Sequence, residues 1–244
     1  MKKRGRCNKY VLTPRNNAFR FIISCNFATI FHKGLGGTMM TFKGFTDEDF
    51  DVFKIDGLDE RMDALKLHIR PKLEELGKYF TPELSTLTGD EMYYHVAKHA
   101  RRTKNPPKDT WVAFAANPRG YKMMPHFQIG LWETHLFIWF ALIYEAPNKE
   151  EFGKKLTNHT DKIFNETPRD FVWSMDHTKP EVIEQNGLSK DELISIFSRL
   201  QTVKKAEILC GYQIPRHDAV QLNSDELIKK IDSVFKTLIP LYKL

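Results

Sequence analysis

Cysteine is scarce in this 244-residue chain, acid is absent from its first 39 residues, and no glycine-serine linker, internal repeat or low-complexity tract follows. Each absence excludes something. Two of the three cysteines, Cys7 and Cys25, lie in the acid-free leader, so the body keeps only Cys210 in the apolar run AEILCGY. One cysteine can build neither a disulfide framework nor a cysteine-based zinc site, which suits a reducing, cytoplasmic setting. Cys210 itself reads as a small buried hydrophobe. There is no P-loop, no G-x-G-x-x-G turn, no G-x-S-x-G elbow and no zinc-finger spacing, so no cofactor is implied.

The net charge of +6 invites a nucleic-acid reading, but its distribution argues against one. Residues 1–39 hold eight Lys/Arg and no acid, leaving 29 Lys/Arg against 31 Asp/Glu in the rest. Nucleic acid is therefore a disfavoured partner. The leader's apolar patch FRFIISCNFATIF is interrupted by Arg20 and Asn26, lacks a cleavage site, and is too short and polar to span a membrane. Gly36-Gly37 is compatible with an encoded ribosome-binding sequence just upstream of Met39-Met40. Residues 1–39 thus read as a non-native leader translated from a wrong start, and residues 40–244 as a single domain.

In that body Thr46, with Asp49 three residues on, predicts a short helix. Leu58, Met62, Leu65, Ile69, Leu73, Leu76 and Phe80 form a helical stripe that runs through Pro71, which predicts two segments joined by a kink. Thr88-Gly89-Asp90-Glu91 resembles a capping box opening a third helix to about Thr103, ended by Asn105-Pro106-Pro107. Strands are expected at Thr110–Ala115, His126–Trp132 and His135–Tyr144, the last two a tight hairpin. A helix over Lys149–Asn165, a strand Phe171–His177, a helix opened by Ser189-x-x-Glu192, a strand Glu207–Tyr212 and a helix from Asn223 to Pro240 complete the order. This is an α+β pattern, with a largely antiparallel sheet and helices mainly on one face.

What the chain has in excess is positive charge in one place. Between Met92 and Trp132 lie seven Lys/Arg, three histidines and a single acid, Asp109. On the expected third helix, His95, Lys98, His99 and Arg102 share a face; Arg119 and Lys122 sit on a turn; His126 and Gln128 line one side of a strand. Together they predict a pocket for an anionic small molecule, since Arg offers a bidentate fork, Lys a point charge and His a switchable donor. His95-x-x-x-His99 has metal-ligand spacing, but Lys98, Arg101 and Arg102 crowd it, so no metal is expected. His177 continues the apolar alternation of Phe171, Trp173 and Met175 and reads as a core-edge histidine.

The segments HVAKHARRTKNPPKDTWVAFA, NPRGYKMMPHFQIG, MDHTKP, VKKAE and FKTLIPLYKL resemble the YktB-like family of bacterial proteins over about residues 41–244. The resemblance implies a cytoplasmic single-domain α+β protein, loosely similar in its sheet to biotin-ligase and class II synthetase catalytic domains. It assigns no activity and no catalytic residues. Ala206 departs from the glycine expected in that pattern. The leading expectation is a protein that binds a phosphorylated or otherwise anionic ligand. An enzyme using His95, His99 or His126 as general acid/base is the alternative, and an RNA- or ribosome-associated protein a weaker one. Oligomeric state is not encoded in any feature of the chain.

Overall fold

A computed structural model describes residues 42–244, so the reading of residues 1–39 lies outside the described residues. Seven strands form one sheet in the order β1-β2-β3-β4-β7-β5-β6, every neighbouring pair antiparallel. They are β1 (Tyr93–Val96), β2 (Asp109–Ala115), β3 (His126–Trp132), β4 (His135–Leu142), β5 (Val172–Ser174), β6 (Ile183–Glu184) and β7 (Ile208–Pro215). The expected β3–β4 hairpin is present around Glu133-Thr134, pairing Gln128 with Trp139 and Leu131 with Leu136.

The helices are α1 (Asp47–Asp51), α2 (Leu58–Ala64), α3 (Arg70–Thr88), α4 (Lys149–Asn158), α5 (Thr160–Glu166), α6 (Lys190–Thr202), α7 (Arg216–Ala219) and α8 (Ser224–Tyr242). Asp49 caps α1 by accepting the Thr46 N–H at 2.7 Å. Between α2 and α3 the chain makes a π-turn, Leu65–Ile69, directly before Pro71. Proline supplies no N–H and crowds the preceding turn, so the ladder widens there while the apolar stripe continues. Leu65, Ile69, Leu73, Leu76 and Phe80 are all buried. Capping boxes at Ser189/Glu192 and Asn223/Glu226 open α6 and α8 as expected.

Three expectations about elements need correction. The helix from Thr88 to Thr103 does not form. Instead α3 extends to Thr88, Gly89 takes the left-handed conformation (φ 84°) that caps it, and the chain leaves as edge strand β1. Gly89 N–H bonds Ser85 O at 3.0 Å and Thr88 Oγ1 bonds Leu84 O at 2.7 Å, so the apparent start signal belongs to a helix end. The helix expected over Lys149–Asn165 breaks at His159, where His159 Nδ1 and Thr160 Oγ1 take backbone carbonyls of the preceding turn. In the other direction, α8 passes Pro240 to Tyr242, because Leu241 is buried and Tyr242 stacks on Phe127 at 5.3 Å.

The core lies between the helices and one face of the sheet. Phe235 of α8 meets Phe80 of α3, Phe114 of β2 and Phe127 of β3 at centroid separations of 5.3–5.9 Å. Trp173 and Cys210 join the same layer, fully buried. Ala206, in the turn before β7, is buried and keeps negative φ, so glycine is not required there: His99 (φ 50°) is the only non-glycine with positive φ among the described residues. No described helix is long and apolar enough to cross a membrane.

Candidate functional site

Side chains alternate along a strand, so the residues that do not face the helices share the opposite face. On β2 to β4 these are Asp109, Trp111, His126, Gln128, Gly130, Trp132, His135, Phe137 and Trp139. β7 adds Leu209 and Gln213, and β5 adds Val172 and Ser174. A small second apolar cluster of Trp132, Phe137, Trp139, Ala141, Val172 and Leu209 sits here, apart from the main core. No described helix covers it; loops and the residues after β5 do.

These residues form a cleft whose walls are Asp109, Trp111, Gln128, Trp132, Trp139, Ser174, His177, Lys179 and Gln213. The cleft as a whole holds about 20 Å³, room for about one water. Three of the chain's four tryptophans line it, and the fourth, Trp173, is in the helix-side core. Gly130 has a packing reason to be glycine: an added Cβ would stand 2.3 Å from Phe137 Cζ and 2.6 Å from Trp111 Cβ.

The polar groups divide into engaged and available ones. His126 is fully buried; its Nδ1–H donates to Met124 O at 2.8 Å, and its Nε2 accepts from the Gln128 amide at 2.9 Å. Burial pushes its pKa down to about 4. His135 repeats the arrangement with Gln213 at 3.1 Å, also lowered to about 4 by burial. Trp111 donates to the Tyr121 hydroxyl at 3.0 Å, and Tyr121 packs on His126 at 4.9 Å.

His177 and Asp109 are differently placed. His177 Nδ1 donates to Glu207 Oε2 at 2.7 Å, and the same carboxylate oxygen takes the His177 backbone N–H at 3.0 Å. Glu207 is 5% exposed and its other oxygen takes Tyr144 N–H. His177 lines the cleft, and its Nε2 makes no hydrogen bond among the described residues. Burial opposes protonation of His177, but the Glu207 hydrogen bond and charge outweigh it and raise the pKa. Asp109 is 7% exposed with no cation within ion-pair distance, and burial pushes its pKa up to about 6 despite the nearby Arg102 charge.

The expected site residues are dispersed relative to the helical-face reading. His95 projects from β1, its Nε2 bonded to Asn117 O at 2.9 Å. His99 bonds Thr110 Oγ1 and meets Trp111 edge-on, and burial with the Arg102 and Arg70 charges lowers it to about 4. Lys98, Arg102 and Arg119 are exposed on loops, and Lys122 pairs with Glu145 at 3.1 Å. Gln128 lines the cleft, and His126 lies beneath it with both ring nitrogens engaged. His177 is not a core-edge histidine beside Trp173: it lies over the opposite face. Asp109, His177 and Glu207 are the residues sequence reasoning passed over. The one acid in the basic block was the available signal for Asp109; nothing local links His177 to Glu207, thirty positions away.

Asp176, His177 and Glu207 bring three ligating atoms within 4.8 Å of one another. Asp176, Glu207 and the Nδ1 of His177 already carry hydrogen bonds. Asp176 accepts from Thr178 N–H and Oγ1–H and pairs with Lys179, and Glu207 holds His177. The trio is therefore a hydrogen-bonded network as it stands.

Residues 45–242 match the model of a family described as a domain of unknown function (DUF1054). The chain belongs to the DUF1054 family. A UPF0637 protein of Bacillus velezensis is 55% identical over 205 residues, covering 84% of this chain and 98% of that protein. A UPF0637 protein of Bacillus cytotoxicus is 52% identical, with 84% and 99% covered. The YktB-like resemblance is the same assignment. A solved structure of a conserved hypothetical protein from Pyrococcus furiosus overlays with a TM-score of 0.37 at 15% identity, over 77% of this chain and all of that one.

Proposed function

We propose that this protein, acting in the cytoplasm, binds a small anionic ligand, a phosphorylated ring compound, over the mouth of the cleft on the sheet face that no described helix covers. The observation that carries the reading is the lining itself. A concave, tryptophan-walled surface with a few convergent polar groups is the usual form of a small-ligand site. Trp111 is the most exposed of its tryptophans and offers a ring face, while Gln128 and Gln213 hold their amides against neutral histidines and present the remaining amide oxygen. Of nearby cations, Lys179 is part of the lining and pairs with Asp176, while Arg101 and Arg102 act electrostatically on Tyr121 and Asp109. Of the residues first expected to bind, Arg102 and Gln128 keep that role. His95, His99 and His126 serve as structural hydrogen-bonding groups, and Lys98, Arg119 and Lys122 belong to the wider basic surround.

Binding is read out by quenching of tryptophan fluorescence and by thermal shift with inorganic phosphate, AMP and ribose 5-phosphate at matched ionic strength. The ring-bearing phosphate should quench and stabilise most, and Arg102→Ala should gain less than the parent. Equal gains for parent and Arg102→Ala protein with every probe would remove the reading.

A further inference from the structure

We propose that Asp176, His177 and Glu207 bind one divalent transition-metal ion at the edge of the cleft, with Asp109 holding it through a bound water. The site goes beyond the anionic-ligand reading and does not depend on it. Asp176, His177 and Glu207 each bring one ligating atom within 4.8 Å of the others. Two ligands of a single ion, with bonds of about 2.1 Å, stand about 3–4 Å apart, so the trio needs only small side-chain shifts to close on one. The bond from His177 Nδ1 to Glu207 Oε2, 2.7 Å long, marks where the ion enters. The ion takes the place of the Nδ1 proton, which leaves to solvent as the ring becomes a neutral ligand.

By itself that trio is a hydrogen-bonded network; Asp109 is what points to an ion. Strand alternation puts Asp109 on the cleft face with Trp111. It is 7% exposed and has no ion-pair partner. Asp109 and His177 line the same cleft and act electrostatically on each other. A carboxylate buried without a partner is costly, and a cation nearby offsets that cost.

Charge and space agree on the occupant. Lys179 pairs with Asp176 and Lys122 with Glu145, so neither Asp109 nor Glu207 has a Lys or Arg partner among the described residues. Two carboxylates left in this way match the charge of a divalent ion. The cleft has room for about one water, enough for a water ligand between the ion and Asp109 and too little for an organic cation. The hydrogen bonds that Asp176 accepts from Thr178, and Glu207 from the Tyr144 and His177 N–H groups, do not oppose the site. Ligating carboxylates are ordinarily held by such outer bonds. An imidazole in the set selects Mn²⁺ or Zn²⁺ over Mg²⁺, which takes oxygen ligands and keeps its own waters.

The test titrates the full chain, without a histidine tag and stripped with EDTA, with Mn²⁺, Zn²⁺ or Mg²⁺ alone. Bound Mn²⁺ is counted by the loss of the free-ion electron paramagnetic resonance signal, and Zn²⁺ by calorimetry. One equivalent should bind per chain, with Mg²⁺ weaker than either. Asp109→Asn and His177→Gln should each weaken Mn²⁺ binding by about 10-fold or more. Asp109→Asn removes no hydrogen bond to another residue, so it tests the site without threatening the fold. His217→Gln, at an exposed histidine beside Asp218, should change nothing. No saturable binding at millimolar Mn²⁺, equal affinity in parent and Asp109→Asn protein, or Mg²⁺ bound as tightly as Mn²⁺ would overturn the site. So would loss of the bound ion in His217→Gln, which would make it adventitious. Because no phosphate compound is present, one equivalent of Mn²⁺ bound by a chain that ignores phosphate and AMP upholds this site while the ligand reading falls.

Discussion

On the helix side of the sheet, Val112, Phe114, Phe127, Ile129, Leu136, Ile138 and Phe140 are buried against α3 and α8, and every group is apolar. On the other side the sheet presents Asp109, His126, Gln128, His135 and Gln213 among aromatic rings. The first face gains stability from burial without directional demands. The second contains groups that cost free energy to desolvate, and it satisfies them individually: His126 by Met124 and Gln128, His135 by Thr134 and Gln213, His177 by Glu207. Asp109 has no ion-pair partner, only a hydrogen bond from its own backbone, and burial raises its pKa to about 6. The contrast separates a face held by apolar burial from one whose polar groups must each be satisfied by a specific partner.

The comparison breaks most readily at its apolar side. Leu73→Ala, at a fully buried position of α3, should cost about 2–5 kcal/mol in denaturant unfolding. A loss below about 0.5 kcal/mol would mean that the helix layer is not the main source of stability.

Acid should expose the other face. His126 is held neutral with its pKa lowered to about 4, so the unfolded chain binds the proton first as pH falls. Stability from this group is complete above about 6.5 and lost toward 4, by up to about 3 kcal/mol. Asp109 has the opposite sign: its raised pKa favours the folded state at low pH and penalises it as pH rises through about 6. His99 and His135 are also lowered to about 4, so the histidines outnumber it and melting temperature should fall between pH 6.5 and 4. His126→Gln should flatten that slope.

Gly130→Ala asks whether the cleft wall is close-packed. The new methyl meets Phe137, Thr110 O and Trp111 at 2.3–2.6 Å, and a cost of about 1–3 kcal/mol with an altered tryptophan spectrum is expected. Asp109→Asn sharpens the comparison further: it removes an unpaired buried charge, so stability near pH 8 should hold or rise slightly while the site is impaired. A drop of more than about 2 kcal/mol would instead make Asp109 a structural residue. Arg102→Ala, on an exposed loop, should change stability by no more than about 0.5 kcal/mol and act only on ligand binding.

The elements that were legible in the sequence are those whose signals are local and repeated. The stripe from Leu65 to Phe80 persists over about four turns, and Ser189/Glu192 and Asn223/Glu226 satisfy both halves of a capping box. The β3–β4 hairpin announces itself by two apolar strands with two polar residues between them. The segment after Thr88 failed for an equally local reason. Thr-Gly-Asp-Glu suits a helix start as well as a glycine-capped end, and only the length of α3 and the pairing of Tyr93–Val96 with β2 decide between them.

The candidate site was legible in part. The basic block between residues 92 and 132 pointed to β2, β3 and the loops around them, and Gln128 and Arg102 lie there. The two faces of a four-residue edge strand could not be told from helical faces, so the grouping of His95 with His99 was lost with the helix.

By itself, then, the sequence determined which strands pair as a hairpin, which helical faces are apolar, where cysteine chemistry is excluded and where positive charge collects, because each depends on residues near one another along the chain. Only the tertiary structure decided that β7 lies beside both β4 and β5, that His177 meets Glu207 from thirty residues away, and that Asp109 is left unpaired opposite them. Those outcomes depend on strand order and on the desolvation of particular groups by distant neighbours, and both arise only when the sheet is assembled.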